Sequence, residues 1–588
     1  MIILGITDNH TSSACLLKDG HILGMVSEER FNRIKGWMGF PERSVRWLLE
    51  SNGLSGAEVD FVAINRLGGL PVGDIEKADQ SLLRKGIKAV CRIAPDGFLG
   101  SNFVKDVYLR YAVATADFGG VRNSLAELGI DSSKLRRVEH HSAHAATAYY
   151  LANFYDPEET VLIFTMDGSG DALCATVSLG QQGCIRRIHA ISTYHSLGEM
   201  YTRATQYLGM KPIEHEYKVM GLAPYAPEAL AEKAYQIFKE FFVLSPDGLS
   251  FQNRSHRVFD DLIHLYMERL KGMRFDAVAA AVQRVLEEVV VAYVRNWIRK
   301  TGIRKIALAG GSFMNVKLNM LISQLPEVEN LFIMPSCSDE STCLGAALKV
   351  YADECRALGK QLQVEALMHL YYGPEYGERE LLSALEKHAG EVCWKKSAKI
   401  TDEVADVLVK NGIVARLAGR MEFGARALGN RSILANPSEM RNVSNINRAI
   451  KMRDYWMPFA PVILEERQHD YVINPRSWPA KYMINAFEST PLAQKELICG
   501  LHPADLTCRP QFVTREDNEG YYDIVKKFEA KTGIGGLLNT SFNLHGEPIV
   551  CTPEDGISTL LRSKIDYLAV SDYLVWRKDM PAPEEFVR

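Results

Sequence analysis

No two of the eleven cysteines stand in a CxxC spacing, and their odd number fits no disulfide framework. Zinc ribbons and disulfide-stapled secreted scaffolds are excluded on that ground, and the cysteines read as reduced thiols of a cytoplasmic protein. Long hydrophobic runs are missing too. The most apolar helical stretch, 275–298, carries Arg284, Glu287, Glu288 and Arg295, so nothing reads as a membrane span. Met1-Ile2-Ile3-Leu4-Gly5-Ile6 has no basic flank and meets Asp8 almost at once, which predicts a strand rather than a leader. Charge of one sign is also lacking. Lys and Arg number 68 against 72 Asp and Glu, and a net −4 argues against a large nucleic-acid footprint. What is present is ordinary globular composition, 47% hydrophobic and 24% charged, over 588 residues, a length that needs more than one core.

The stretch Glu139-His140-His141-Ser142-Ala143-His144 organises the rest. Its surroundings predict a short strand over 135–138 running into a helix over 143–151. Positions four apart share one helix face, so His140 and His144 can aim two imidazoles at a single point, as a divalent metal requires. A lone HxxxH pair equally suits histidines bonded to nearby carbonyls. A third candidate ligand, Asp339 in Pro335-Ser336-Cys337-Ser338-Asp339, favours the metal.

Strands are predicted over 2–7 and 13–17, joined by residues 8–12, with Asp19-Gly20 turning the chain into a third over 21–26. The pattern returns as a strand over 160–166, the turn Asp167-Gly168-Ser169-Gly170-Asp171, and a strand over 172–179. This repetition points to a duplicated α/β unit with facing phosphate loops. A third loop, Gly310-Gly311-Ser312-Phe313-Met314-Asn315, follows a strand over 305–308 and opens a helix, where glycines let backbone amides approach an anion. Asp167, Gly168, Gly310, Gly311 and Asn315 are the nucleotide-binding candidates. Three loops so spaced resemble the actin/hexokinase/chaperone ATPase superfamily. The charged run at 27–35 reads as a solvated helix face, and Gly345-Ala346-Ala347 opens a helix able to pack tightly.

The second half begins after a linker placed at 356–374, between units at 1–355 and 375–588. Gly419-Arg420-Met421-Glu422-Phe423-Gly424-Ala425-Arg426-Ala427-Leu428-Gly429-Asn430-Arg431 combines three glycines with three arginines, which suits a backbone and guanidinium cradle for phosphate. Asn447–Arg453, Asp505–Gln511 and Leu538–Ile549 add further basic or amide-rich loops.

The set EERFxRxK, HHxxHA, KVMGLA, GGxxxN, GRMEFGxRALGxRSIL, PFAP and NTSFNxxGEPI resembles the NodU/CmcH family of carbamoyltransferases over essentially the whole chain. The resemblance implies an actin/hexokinase-like first domain, similar to the transfer subunit of tRNA threonylcarbamoyladenosine synthesis, and a YrdC-like second domain. It implies a divalent metal, usually iron, on His140, His144 and Asp339. It places Lys35 against nucleotide phosphate, and Arg426, Arg431, Lys451, Arg453, Thr507, Arg509, Ser541 and Asn543 around carbamoyl phosphate and Mg2+-ATP. The sequence departs from the family at Thr11, where aspartate is usual, at Ala425, where proline is, and at Leu506, where glycine is.

The chemistry so implied is formation of carbamoyl-adenylate in the second domain, then transfer to a hydroxyl of a small natural product such as an antibiotic or toxin in the first. His10, assisted by Asp8, is the candidate base. The alternative is tRNA threonylcarbamoylation, which the charge of −4 disfavours. An actin-like switch on a protein partner would leave the arginine-rich half without a use. No nucleic acid or membrane partner is expected, and a homodimer is left open.

Overall fold

Ile3, Leu4 and Ile6 of the first strand are all fully buried, apolar on both faces, which demands cover on both sides of the sheet. The computed structural model describes residues 1–68, 82–94, 98, 100–114, 116–451 and 454–587. By packing, the chain divides into Met1–Glu28 with Gly36–Leu367, and Glu29–Lys35 with Met368–Arg588. The main division between the two falls at Leu367 and Met368. The excursion of Glu29–Lys35 into the second unit was not expected, and it corrects both the 1–355 boundary and the reading of 27–35 as a solvated face. Glu28 and Arg30 are buried, because each charge is matched by donors or acceptors distant in sequence.

The first unit holds two five-stranded sheets. One comprises β1 (Ile2–Thr7), β2 (Ser13–Lys18), β3 (His21–Ser27), β4 (Phe61–Ile64) and β5 (Leu135–Arg137), in the order β3-β2-β1-β4-β5. The other comprises β6 (Val161–Gly170), β7 (Leu173–Gln181), β8 (Cys184–Ser192), β9 (Lys305–Ala309) and β10 (Asn330–Ile333), in the order β10-β9-β6-β7-β8. Each is an antiparallel meander whose first strand then pairs in parallel with the fourth. The predicted duplication is therefore explicit in the topology. Asp19 and Gly20, with φ of 51° and 87°, make the tight hairpin anticipated for them. The predicted turn over 167–171 is instead mostly strand. β6 runs on to Gly170, and only Asp171 and Ala172, at φ 46° and 70°, reverse the chain.

Three helices position the site: α1 (His140–Tyr150), α2 (Phe275–Thr301) and α3 (Thr342–Ala357). A Cβ on Gly345 of α3 would lie 1.9 Å from the Ala143 carbonyl oxygen of α1, and one on Gly5 of β1 would lie 2.1 Å from the Cys343 carbonyl. The start of α3 is thus wedged against both elements, which fixes Asp339, just upstream, relative to α1. Gly345→Ala is expected to force α1 and α3 apart. The cost by overpacking is about 1–3 kcal/mol, and metal retention should fall with it. Thermal unfolding together with metal content after dialysis checks both.

The second unit is built on one mixed sheet of eight strands: β11 (Val392–Lys396), β12 (Val414–Leu417), β13 (Arg431–Ala435), β14 (Ala460–Leu464), β15 (Gln511–Val513), β16 (Gly536–Ser541), β17 (Tyr567–Val570) and β18 (Tyr573–Arg577). Their order is β11-β18-β17-β12-β13-β16-β14-β15. Leu417 pairs with Arg431, Ser432 with Ser541, Asn539 with Ala460, and Val462 with Gln511. One end of the sheet therefore gathers the 419–430 loop, the residues after Ser541 and those before Gln511. No helix among the described residues is long and apolar enough to cross a membrane.

Candidate functional site

α1 begins three residues earlier than its periodicity predicts because Glu139 caps it. The Glu139 carboxylate accepts from the His141 and Ser142 amides at 3.2 and 2.8 Å and pairs with Arg187. Burial would raise this carboxyl, but Arg187 and His141 outweigh it and hold it at about 2. The cap brings both His140 and His144 onto one helix face. Their Nε2 atoms are 3.2 Å apart.

Two carboxylates close on that pair. Asp339 Oδ1 lies 3.5 and 3.6 Å from the Nε2 atoms of His140 and His144. Asp167 Oδ2 lies 3.4 and 3.1 Å from the same atoms. Metal–ligand bonds of about 2.0–2.2 Å put neighbouring ligands roughly 2.9–3.5 Å apart, so these separations are those of one coordination shell. The four ligand atoms all lie within 4.8 Å of one another. Two neutral imidazoles with two carboxylates suit a divalent first-row cation. The imidazoles are buried, at 3% and 0% exposure, whereas the carboxylates keep 23% and 17%, so the cage opens on its acidic side.

Asp167 was expected to touch nucleotide, and it is the fourth member of the cage. An acidic residue closing an apolar strand is the signal that could have found it. Gly170 also has a packing role, since a Cβ there would lie 2.0 Å from the His140 ring. The electrostatics agree with the geometry. Burial alone would favour neutral His140, yet Asp339 and Asp167 carry its pKa up to about 10. His144 is raised by Asp167 and Asp339 against its burial, and the two histidines in turn hold Asp167 well below the carboxylate range despite its own. A proton and a metal cation compete for the same cage. His141 stands apart: burial pushes it down to about 3, and its Nδ1 meets Thr165 Oγ1 at 2.8 Å.

The remaining candidates of the first unit separate clearly. Both Asp8 oxygens are taken by Arg66, at 2.9 and 2.7 Å, and the guanidinium stacks over Phe118. Asp8 therefore does not assist His10, a correction hidden by the 58 residues between the partners. His10 Nε2 is buried without a hydrogen-bond partner among the described residues. Gly310 turns at φ 105°, where a Cβ would lie 2.2 Å from the Met166 carbonyl oxygen, and a Cβ on Gly311 would lie 3.0 Å from Asp167 Oδ1, so both line the cage strand closely. Gly168 donates its amide to Asp167 Oδ1 at 2.7 Å. Asn315 is a helix cap: its Oδ1 accepts from the Leu318 amide at 3.1 Å, and its side chain exchanges hydrogen bonds with Gln283. Lys35 ends the segment that packs with the second unit.

In the second unit, the arginine loop is built around two buried residues. Glu422 Oε1 accepts from the Leu428 and Arg431 amides at 2.7 and 3.1 Å. Arg431 is wholly buried, and its guanidinium donates to the carbonyls of Ala418, Gly419, Asn430, Cys551 and Pro374. All three of its nitrogens are turned to backbone carbonyls, so it shapes the loop. Gly419, Gly424 and Gly429 all take positive φ, and the loop leaves Arg426 half-buried. Arg509 is half-buried too. Thr507 donates to Asp505 at 2.8 Å, and Ser541 to Asn543 at 2.7 Å, while Asn543 braces its own turn through the Leu544 and Glu547 carbonyls. The Lys451 side chain and Arg453 lie outside the described residues.

Leu506, which stands where glycine is usual in the family pattern, adopts φ 58°. A left-handed L-residue costs about 1–2 kcal/mol, and glycine returns roughly 0.5–1 of that as unfolded-state entropy. Leu506→Gly is expected to stabilise the second unit by roughly 0.5–1 kcal/mol, visible as a higher urea midpoint at unchanged slope.

Residues 2–348 match the family model for the carbamoyltransferase N-terminus, and residues 405–577 that for the carbamoyltransferase C-terminus. Nodulation protein NolNO of Sinorhizobium fredii is 30% identical over 584 residues, covering 98% of this chain and 80% of that protein. Nodulation protein NolO of Bradyrhizobium diazoefficiens is 33% identical over 447 residues, 75% and 79% of the two chains. Among solved structures, the activator of the 2-hydroxyisocaproyl-CoA dehydratase from Clostridium difficile overlaps 62% of this chain and 100% of that one, at 14% identity and a TM-score of 0.32. With both halves matched and full-length relatives at this identity, the chain belongs to the carbamoyltransferase family and is a carbamoyltransferase.

Proposed function

We propose that the protein is an ATP-dependent O-carbamoyltransferase that activates in its second unit and transfers in its first. Release of phosphate from carbamoyl phosphate by water leaves carbamate. A carbamate oxygen then attacks the α-phosphorus of ATP, expelling pyrophosphate and leaving carbamoyl-adenylate. A hydroxyl of a small acceptor attacks the carbamoyl carbon, AMP departs, and the hydroxyl proton goes to a base. Supporting this reading is the four-residue cage of His140, His144, Asp167 and Asp339 in a chain whose two halves each match a carbamoyltransferase model.

In the second unit, Arg426 and Arg509, with Lys451 and Arg453, neutralise the crowded phosphates during adenylation. In the first, the cage residues hold a divalent cation, Fe2+ by preference, which polarises the adenylate phosphate when bound. His10 accepts the hydroxyl proton; its buried Nε2 has no competing partner among the described residues. Carbamate decomposes in water, so activation and transfer in one cytoplasmic polypeptide limit its loss. The acceptor is a small hydroxylated metabolite rather than a nucleic acid.

The test is incubation of the full chain with Mg2+-ATP, carbamoyl phosphate and Fe2+, with and without a panel of hydroxylated natural products. Pyrophosphate release that depends on carbamoyl phosphate, and a mass gain of one carbamoyl group on an acceptor, are expected. Absence of that pyrophosphate overturns the adenylation step. Activity only with threonine, bicarbonate and tRNA overturns the assignment of acceptor.

A further inference from the structure

Glu29–Lys35 belongs by sequence to the first unit and by packing to the second. Three of its side chains account for this. Arg30, 5% exposed, donates from Nη2 to the Gly424 carbonyl at 2.9 Å. Phe31 packs against Met421, Ile549 and Cys551. Arg33 donates from its two Nη atoms to the carbonyls of Ile549 and Pro548, at 2.7 and 3.0 Å, and its Nε faces Asp555 at 3.5 Å.

These carbonyls sit in the two loops already described. Gly424 is two residues before Arg426, and Pro548 closes the turn braced by Asn543. Arg33 itself turns at φ 61°, a conformation an arginine keeps only where its surroundings compel it; the guanidinium fork supplies that compulsion.

The segment is equally well tied where it re-enters the first unit. On its near side, the Glu28 carboxylate accepts from the Arg43 and Ser44 amides and the Ser44 hydroxyl, at 3.1, 2.8 and 2.7 Å. On its far side, residues 37–39 line the loop that bears His10. The Ser12 amide donates to the Trp37 carbonyl at 3.0 Å, the Ser12 hydroxyl to the Gly39 carbonyl at 2.7 Å, and the Gly39 amide to the Asp8 carbonyl at 3.0 Å.

We propose that Glu29–Lys35 is a strap: Arg30 and Arg33 are positioning residues for the second-unit loops carrying Arg426 and Asn543, and the strap's continuation through residues 36–39 carries the occupancy of those loops to the loop carrying His10. The proposal rests on the adenylation reading of the second unit. Ligand that draws the 419–430 and 541–549 loops together moves the carbonyls that the two arginines hold. Only three residues separate Arg33 from Trp37, so the shift reaches the Ser12 and Gly39 hydrogen bonds along a short stretch of backbone. Coupling of this kind needs one element whose arrangement both sites bias; the strap is hydrogen-bonded within the second unit and continues covalently, at both ends, into residues hydrogen-bonded within the first.

The experiment uses the full chain as wild type, Arg33→Ala and Arg33→Lys. Two readouts are taken: pyrophosphate release from ATP and carbamoyl phosphate, and amide hydrogen exchange at Ser12 and Gly39 with and without those ligands. In the wild type, ligand is expected to slow exchange at both amides. Arg33→Ala is expected to lower kcat/KM for pyrophosphate release at least roughly tenfold and to abolish the ligand response at Ser12 and Gly39, while β13 and β16 keep wild-type protection. Arg33→Lys, which keeps the charge without the fork, should fall between. If Arg33→Ala does not fold, Arg30→Lys takes its place with the same readouts. Wild-type kinetics in the variant, or an undiminished ligand response at the two amides, overturns the strap. Should the wild type release no pyrophosphate, the adenylation reading fails instead, and the exchange response to ATP alone decides the strap.

Discussion

Replacing His144 by alanine is expected to leave carbamoyl-phosphate-dependent pyrophosphate release within about twofold of wild type while carbamoyl transfer falls at least roughly 100-fold. The asymmetry follows from where the residue sits. His144 is fully buried and belongs wholly to the first unit, and its Nε2 faces His140, Asp167 and Asp339. Without it, two carboxylates share one imidazole, a weaker and differently charged set of ligands. A 100-fold loss is about 2.7 kcal/mol of transition-state stabilisation. Metal content after dialysis, pyrophosphate release and acceptor carbamoylation, measured on one preparation, separate the possibilities. Asp339→Asn serves as a companion because it keeps the side-chain shape. Loss of both activities together would mean that the metal serves adenylation or holds the fold.

Arg426→Ala is expected to do the reverse, lowering kcat/KM for pyrophosphate release by about 100- to 1000-fold, the usual cost of removing one preorganised donor from developing phosphate charge. Metal binding in the first unit should be untouched. The prediction separates Arg426 from Arg431, five residues on. Arg431 is buried on five carbonyls, so Arg431→Ala should unfold or loosen the second unit, because it leaves several carbonyls without donors. Arg426, only half-buried, should cost the fold far less when replaced by alanine. A variant at Arg426 that still makes AMP at the normal rate would remove the arginine loop from the reaction.

How much of this was legible in the residues depends on the range of the interaction concerned. The two imidazoles were readable because helical periodicity is local, and the duplicated sheets were readable because strand and turn signals repeat. Asp167 was misplaced because an aspartate followed by glycines looks like a turn, whereas the backbone stays extended as far as Gly170. Asp8 and Arg66, or Arg33 and Pro548, meet only in three dimensions, and no spacing rule connects them. Asn315 looked like a nucleotide contact because a cap and an anion cradle use the same residue types at a helix start. In the arginine loop, composition identified the cradle but not which guanidinium points inward, since that depends on burial alone.

The repeated sheet order places Asp8 and Asp167 at the same address, each one residue past the buried core of the first strand in its meander. At one address the negative charge is answered by a guanidinium attached to the chain; at the other, by imidazoles able to share it with an exchangeable ion. A chelator should therefore strip only the second half of its counter-charge. Loss of metal should accordingly register as a lopsided molecule, loosened around β6 and α1 and undisturbed around β1 and β4.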